Sequence, residues 1–226
     1  MANRPVYISL LNDEIFTKAD VEFKYFSGFS IAQKQRSIES LHQEVLKKNP
    51  ERKILEISSK SKEPLGVSIS AFNLSLTTRS GKRQSVEVLF QGSKVFEKGG
   101  PYVDIFDLSS REAKKDLRLK NSGNIIGFNL YGKQFPCEPK TLFYNWLYIN
   151  TLNLNKELSE QVLQYDAFTD IEFNPKKSIN CQADAAAIFV SLSKQGLLSE
   201  ALLSKENFTR IVYGDKEKKM DIELFQ

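Results

Sequence analysis

The chain has 226 residues, of which 41% are hydrophobic, and a formal net charge of +4. This length can bury one substantial core, so we expect a single domain over residues 1–226. With His42 as the only histidine and two cysteines far apart, Cys137 and Cys181, the composition excludes a histidine metal cluster and a disulfide framework. We therefore predict no metal and no cofactor, and any chemistry must depend on lysine, glutamate and aspartate.

The N-terminal half alternates between strand-like and helix-like patterns. Two short strands are predicted within the first 30 residues, and the apolar spacing from Ser30 to about Lys48 predicts a helix with Ser30 as N-cap. Period-two alternation predicts further strands in K-I-L-E-I-S-S and G-V-S-I-S-A-F-N-L-S-L. The segment Ser85 to Phe96, S-V-E-V-L-F-Q-G-S-K-V-F, is interpreted as a helix, although its first six residues also alternate as in a strand.

The C-terminal half is predicted to be mainly helical. It contains a serine-capped helix in S-S-R-E-A-K-K-D, an aromatic helix after Pro139 with a second helix close behind it, and an alanine-rich helix from Ala183 to Gln195. Between these helices, Y-D-A-F-T-D-I-E-F-N-P-K-K-S-I-N-C-Q is interpreted as an irregular loop. Two short helices and a charged tail, G-D-K-E-K-K-M-D, follow. No run is long enough to cross a membrane and no signal-peptide pattern opens the chain, so we expect a cytoplasmic protein.

Three polar residues share one face of the helix predicted after Ser85. Glu87, Gln91 and Lys94 would lie within about 60° of one another on a helix that is otherwise apolar. Glu87 is a candidate general acid or base and Lys94 its charge partner, with Gln91 as an amide that can bridge them. The alternative is a core helix whose three polar groups satisfy one another.

Lys34 is the second candidate for chemistry. It falls within the apolar stripe of the first helix and in its first turn, so desolvation and the helix dipole should both lower its pKa. A neutral amine can attack a sugar aldehyde and form a Schiff base. The alternative is a structural lysine whose charged end reaches solvent.

The remaining candidates would bind a substrate rather than react with it. Acids in the irregular loop can bind ribose hydroxyls, an aromatic residue and an amide can hold a base, and glycines let backbone N–H groups approach a phosphate. Each has a structural alternative as a solvated or core residue. The candidates are Phe72, Asn73, Gly100, Tyr102, Asp170, Glu172 and Asn180.

Together these segments resemble the NADAR family, which is related to the YbiA-like proteins. The family signature T/S-x-E-H-x-x-Q-A-x-K-F is matched by S-V-E-V-L-F-Q-G-S-K-V-F, with Val88 in the place of the histidine. The family core would cover about residues 60–195. A more extensive resemblance, to NADAR antitoxins encoded beside DNA ADP-ribosyltransferase toxins, covers G-F-S-I-A-Q-K-Q-R-S-I, F-Q-G-S-K-V-F-E-K-G-G-P-Y and F-T-D-I-E-F-N-P-K-K-S-I-N-C-Q.

The resemblance implies a fold and an activity. The fold would be α+β, mainly α-helical, with a small antiparallel sheet. The activity would be an ADP-ribosyl glycohydrolase that removes ADP-ribose from guanine in DNA. Its partners would be ADP-ribosylated single-stranded DNA, ADP-ribose as product, and the cognate toxin. Because Val88 replaces the family histidine, Lys34 is favoured as nucleophile, with Glu87 handling the proton and Lys94 able to exchange roles with Lys34.

Two alternatives of other classes remain. The protein could be a binding module for ADP-ribose or modified DNA, or a direct inhibitor of the toxin, without turnover. It could also be an N-glycosidase that acts on a small phosphorylated metabolite.

Overall fold

The computed structural model describes residues 1–11, 14–78 and 81–214, so the predicted charged tail lies outside the described residues except for its first residue, Gly214. The strands in these ranges are β1 (Ala2–Ser9), β2 (Phe16–Phe23), β3 (Ile54–Glu56), β4 (Ser75–Thr77), β5 (Arg83–Ser85), β6 (Lys94–Phe96), β7 (Ile125–Leu130), β8 (Lys133–Phe135) and β9 (Ala167–Thr169). The helices are α1 (Ile31–Lys48), α2 (Pro64–Ser68), α3 (Val86–Gly92), α4 (Ser110–Lys115), α5 (Arg118–Asn121), α6 (Leu142–Leu154), α7 (Lys156–Val162), α8 (Gln182–Lys194), α9 (Leu198–Leu203) and α10 (Lys205–Tyr213). A 3₁₀ helix spans Val103–Asp107.

The largest sheet has the strand order β2-β1-β9-β3. β1 is antiparallel to β2 and β9, and β3 is parallel to β9. Two smaller antiparallel sheets have two strands, β4-β5, and three strands, β6-β7-β8. The described part of the chain is α+β, with 44% helix and 20% strand, which confirms the expected fold class.

Helix α1 packs on one face of the large sheet, and its prediction is confirmed. Ser30 is the N-cap, since its side chain accepts a hydrogen bond from the amide of Gln33. Ile38, Leu41 and Val45 from the predicted stripe are buried. They form a small core with apolar residues of β1, β2 and β9.

The main core lies around α6 and α8. Helix α6 is the predicted aromatic helix, and both helices are buried on most sides, with Tyr148 and Phe189 among the largest fully buried residues. Helices α4, α7, α9 and α10 also confirm their predictions. Within the described ranges, no helix has the length and apolar character that a membrane crossing requires.

Three predicted elements differ in the structure. Most of G-V-S-I-S-A-F-N-L-S-L is not a strand, because Pro64 starts helix α2 and turns follow it before β4. The predicted irregular loop contains β9, which pairs with β1 and β3. The predicted helix over Ser85 to Phe96 ends at Gly92, and Lys94 lies in β6 instead.

The last residue of α3, Gly92, packs closely against the 3₁₀ helix. A Cβ atom on Gly92 would lie 2.5 Å from the Cε1 atom of Phe106 in the 3₁₀ helix. Only glycine allows this approach. The chain then turns through the fully buried Ser93 into β6, which pairs with β7.

Candidate functional site

A cleft of about 760 Å³ lies between α3, the segment after β9, and the segment before α6. This volume suits a small-molecule ligand of nucleotide size. Its apolar wall includes Phe90, Phe128 and Tyr144, whose rings pack together with centroid distances of 5.7 Å for Phe90–Phe128 and 5.1 Å for Phe90–Tyr144. Seven predicted site residues line the cleft: Phe72, Glu87, Gln91, Lys94, Asp170, Glu172 and Asn180.

A chain of hydrogen bonds joins the predicted polar trio. The Nε2 atom of Gln91 donates to Oε1 of Glu87 at 2.9 Å, and Nζ of Lys94 donates to Oε1 of Gln91 at 2.7 Å. Ser85 starts α3 by accepting a hydrogen bond from the amide of Val88, which orients Glu87 and Gln91 one turn apart. The trio assembles even though Lys94 lies in a strand. The three side chains satisfy one another's hydrogen-bonding groups, as the structural alternative predicts. They also line the cleft.

Lys94 has a lowered pKa. Burial lowers its pKa to about 8; the charge of Glu87 opposes this shift and that of Lys114 adds to it. Its Nζ lies 4.7 Å from the centroid of the Phe90 ring. At pH 7 roughly a tenth of such amines are neutral, far more than for an ordinary lysine. Lys94 can therefore act as a nucleophile near neutral pH.

Asp170 presents a buried carboxyl group to the cleft. Its Oδ1 accepts hydrogen bonds from the amides of Glu172 and Phe173 at 3.0 and 3.2 Å, and its Oδ2 accepts one from Nε2 of Gln182 at 3.0 Å. Burial, and then the charge of Glu56, raises the pKa of Asp170 to about 8 in spite of these bonds. At neutral pH the group is mostly protonated and can donate a proton.

Glu56, which was not among the residues predicted for the site, lies beside Asp170. Its Oε1 accepts from the amide of Ile171 at 2.9 Å, and its Oε2 accepts from the hydroxyl of Thr169 at 2.7 Å. Burial raises its pKa. The same hydroxyl contacts Nε2 of His42 at 2.8 Å. The available signal was a lone acid inside the apolar run I-L-E-I.

Lys34 does not line the cleft. Its Nζ donates to the hydroxyl of Tyr25 at 3.0 Å and lies 3.1 Å from Oε1 of Glu172. Burial lowers its pKa, but the hydrogen bonds with Tyr25 and Glu172 outweigh burial, and the net shift is upward. The expected lowering of this pKa is therefore wrong, because a partner acid sits beside the amine.

Three predicted binding residues lie outside the cleft lining. The amide of Asn73 donates to the carbonyl of Val67 at 2.9 Å, beside a separate groove. The hydroxyl of Tyr102 is paired with Ser122 at 2.5 Å. Gly100 has φ +82°, and a Cβ there would lie 2.4 Å from the carbonyl oxygen of Lys94, so it supports the backbone of β6.

Phe72 and Asn180 are better placed to touch a ligand. The ring of Phe72 is 36% exposed, and Nζ of Lys114 lies 5.0 Å from its centroid. The Oδ1 atom of Asn180 is buried and has no hydrogen-bond partner among the described residues. Lys140 and Lys177 line the same cleft and add positive charge.

The α+β architecture of small sheets and packed helices agrees with the NADAR fold. The comparison with protein families is more specific: residues 2–222 match the model described as DarT1-associated NADAR antitoxin. Because this match spans nearly the whole chain, the chain belongs to the family of DarT1-associated NADAR antitoxins, and the resemblance seen in the sequence is confirmed. A search of curated proteins found none that matches.

Proposed function

We infer that the protein hydrolyses the bond between ADP-ribose and guanine in DNA, and thereby acts as the antitoxin of a DNA ADP-ribosyltransferase toxin. Membership of the antitoxin family supports the biological role. The observation that carries the enzymatic part is the lowered pKa of Lys94, whose amine is linked through Gln91 to Glu87 in the cleft.

The lining of the cleft is suited to ADP-ribose attached to a base. The aromatic wall of Phe90, Phe128 and Tyr144 offers apolar surface for a base or ribose. Lys114 and Lys140 offer positive charge for the two phosphates. The unpartnered Oδ1 of Asn180 is an acceptor for a hydroxyl or amino group of the ligand.

The first half of the reaction breaks the bond to guanine. The neutral amine of Lys94 attacks the anomeric carbon of the ribose, and protonated Asp170 gives its proton to the guanine nitrogen as that nitrogen leaves. Glu87 takes the proton that the attacking amine releases. Unmodified guanine and a sugar covalently bound to Lys94 result.

The second half releases the sugar. The ring oxygen leaves the anomeric carbon and receives the proton held by Glu87, which gives a Schiff base between Lys94 and the opened ribose. Water then adds to the imine carbon and restores the proton of Asp170. Collapse of this adduct frees ADP-ribose and the amine, so one water is consumed in each turnover.

Single-stranded DNA is the favoured form of the substrate. A base in a duplex must be extruded before a cleft of this kind can hold it, at a cost of roughly a few kcal/mol. A single strand avoids most of that cost.

The test is release of free ADP-ribose from a guanine-ADP-ribosylated single-stranded oligonucleotide. We expect release by the wild type, and reduction with cyanoborohydride during turnover should leave a sugar adduct on the peptide that contains Lys94. Peptide mapping would also detect an adduct on Lys34, the nucleophile that the sequence favoured.

The matched control is Lys98→Met, which changes an exposed lysine four residues away. This variant should keep release and trapping, whereas Lys94→Met should lose both. An adduct on Lys34 would move the nucleophile to that residue. If the wild type binds the oligonucleotide without releasing ADP-ribose, the protein is a binding module. If it acts only on a small ADP-ribosylated metabolite, the N-glycosidase alternative is correct.

A further inference from the structure

The segment between β2 and α1 forms an exposed surface of aromatic, apolar and basic residues. Phe29 is fully exposed at 102% and Ile31 is 56% exposed. The ring of Phe26 lies 4.0 Å from the guanidinium carbon of Arg36 and 5.3 Å from Nζ of Lys24. These residues, Lys24, Phe26, Phe29, Ile31 and Arg36, are called here the basic-aromatic patch.

Hydrogen bonds to α1 fix the backbone under the patch. The amide of Phe26 donates to the hydroxyl of Ser37 at 2.9 Å, and the amide of Lys24 donates to the hydroxyl of Ser40 at 3.2 Å. Ser37 is fully buried and itself donates to the carbonyl of Gln33 at 3.0 Å. The backbone at Lys24 and Phe26 is therefore preformed, and binding to this part of the patch requires little ordering of the backbone.

The patch adjoins the cleft. Tyr25, next to Phe26, accepts a hydrogen bond from Lys34, and Lys34 forms an ion pair with Glu172 on the cleft wall. Because Arg36 lies two residues after Lys34, and therefore on the opposite side of α1, a DNA strand that leaves the cleft on the Glu172 side must pass around the N-terminal turn of α1 to reach it. Lys177 lies on the same loop as Glu172 and also lines the cleft.

The chemistry of the patch selects its partner. Neither Lys24 nor Arg36 forms an ion pair with a carboxylate of the described residues, so both charges are available. Rings on which bases stack, combined with nearby cations for phosphates, are the usual means of holding single-stranded nucleic acid. The exposed apolar side chains of the patch, Phe29 and Ile31, lie between cations and make a poor hydrophobic core for a protein interface.

We propose that the basic-aromatic patch holds the DNA strand that flanks the modified guanine, with a neighbouring base stacked on Phe29 and a backbone phosphate bound by Arg36. This inference rests on the proposed function. It adds a second binding surface outside the cleft, and it makes the length of the DNA, rather than the modified base alone, a determinant of affinity.

The test compares two substrates that differ only in flanking DNA. One is a single-stranded oligonucleotide of about 12 nucleotides with one ADP-ribosylated guanine, and the other is ADP-ribosylated guanosine monophosphate. Phe29→Ala and Arg36→Ala should each raise KM for the oligonucleotide about tenfold. Both should leave kcat/KM for the mononucleotide within about twofold, since neither residue lines the cleft.

The controls separate a specific role from a general one. Leu154→Ala removes another exposed apolar side chain, at the end of α6, and Lys98→Ala removes an exposed charge elsewhere. Both should behave as wild type on either substrate. Arg36→Ala should also reduce the slope of log KM against log salt by about 0.7, the value for one phosphate contact on a single strand.

Two results would overturn the proposal. Equal losses on both substrates would mean that the patch supports the cleft rather than DNA. Unchanged kinetics on the oligonucleotide would mean that the patch has another occupant, such as the toxin. If the wild type hydrolyses neither substrate, the proposed function fails, and fluorescence anisotropy of the labelled oligonucleotide still decides whether Phe29→Ala and Arg36→Ala weaken DNA binding.

Discussion

The ammonium group of Lys34 lies 3.1 Å from a carboxylate oxygen of Glu172, and this ion pair joins α1 to the segment that follows β9. The second oxygen partner of the ammonium is the hydroxyl of Tyr25. Lys34 is thus held by two groups and keeps its charge, whereas Lys94 has a lowered pKa and faces the cleft. The geometry favours a positioning role for Lys34 and a chemical role for Lys94.

The two lysines should differ in the kinetic parameter that they affect. Lys94→Ala should lower kcat by about a thousandfold or more, because it removes the attacking amine. Lys34→Ala should lower kcat/KM by less than about tenfold, mainly through KM, because the loop that carries Glu172 loses the ion pair that holds it to α1. Steady-state kinetics on the ADP-ribosylated oligonucleotide give the comparison.

The stability of the Lys34 variant provides its control. Since Glu172 is 44% exposed, loss of the ion pair should cost under about 1 kcal/mol of unfolding free energy. Glu172→Gln, which leaves the lysine in place, should give a similar change. A loss of kcat in Lys34→Ala as large as that in Lys94→Ala would reverse the two roles.

The pH dependence of the reaction should be bell-shaped. The rate rises with pH as Lys94 loses its proton, with a pKa of about 8, and falls as Asp170 loses its proton, also at about 8. We expect a maximum of kcat/KM near pH 8. In Asp170→Asn the alkaline limb should disappear and the maximum rate should fall, since the proton donor is absent. A profile of the variant that keeps an unchanged alkaline limb would exclude Asp170 as the acid.

Glu56 should set the position of the alkaline limb. Its charge raises the pKa of Asp170, so Glu56→Gln should lower that pKa and shift the alkaline limb to lower pH. Gln retains an acceptor for the amide of Ile171. Other titratable groups that act electrostatically with Asp170 are Tyr7 on β1, Tyr144 and Tyr148 on α6, and Cys181 before α8.

Thr169→Val is the matched control for this effect. It removes the hydroxyl that links Glu56 to His42 but leaves the carboxyl group. A merely structural role for Glu56 would lower the rate equally at every pH in both variants. Loss of the Thr169 hydroxyl raises the pKa of Glu56 but leaves its carboxyl group, so a larger shift of the limb in Glu56→Gln than in Thr169→Val would establish the electrostatic role.

His42 should contribute to stability only above its ordinary pKa. Burial lowers its folded pKa to about 4 from 6.5, so the unfolded chain binds the proton more tightly. The contribution is therefore present above about pH 6.5 and is lost as the pH falls towards 4. The full effect is about 3 kcal/mol.

Comparing the stability of the wild type with that of His42→Gln separates the contribution of His42 from those of Glu56 and Asp170. The raised pKa values of these two acids make their contribution to stability fall with rising pH, whereas that of His42 rises. The melting temperature of the wild type relative to this variant should fall between pH 7 and pH 4.5. A constant difference across that range would show that His42 does not titrate on unfolding.

Local sequence patterns predicted much of the fold. The stripe of Ile38, Leu41 and Val45 and the cap at Ser30 identified α1, and the aromatic run after Pro139 identified α6. These elements could be recognised because their signals lie within one or two turns of the chain. Strand β9 could not, because its three residues are held by pairing with β1 and β3, far away in the sequence.

The amino-acid sequence by itself determined the family, the absence of a histidine cluster, and the set of polar residues available for chemistry. The tertiary structure alone decided which lysine has the lowered pKa. Helical periodicity predicts apolar neighbours for both lysines, but only folding brings Glu172 to Lys34 and buries Lys94 against Phe90. The acidity of a side chain depends on burial and on charges within a few ångströms, and both are set by contacts between distant segments.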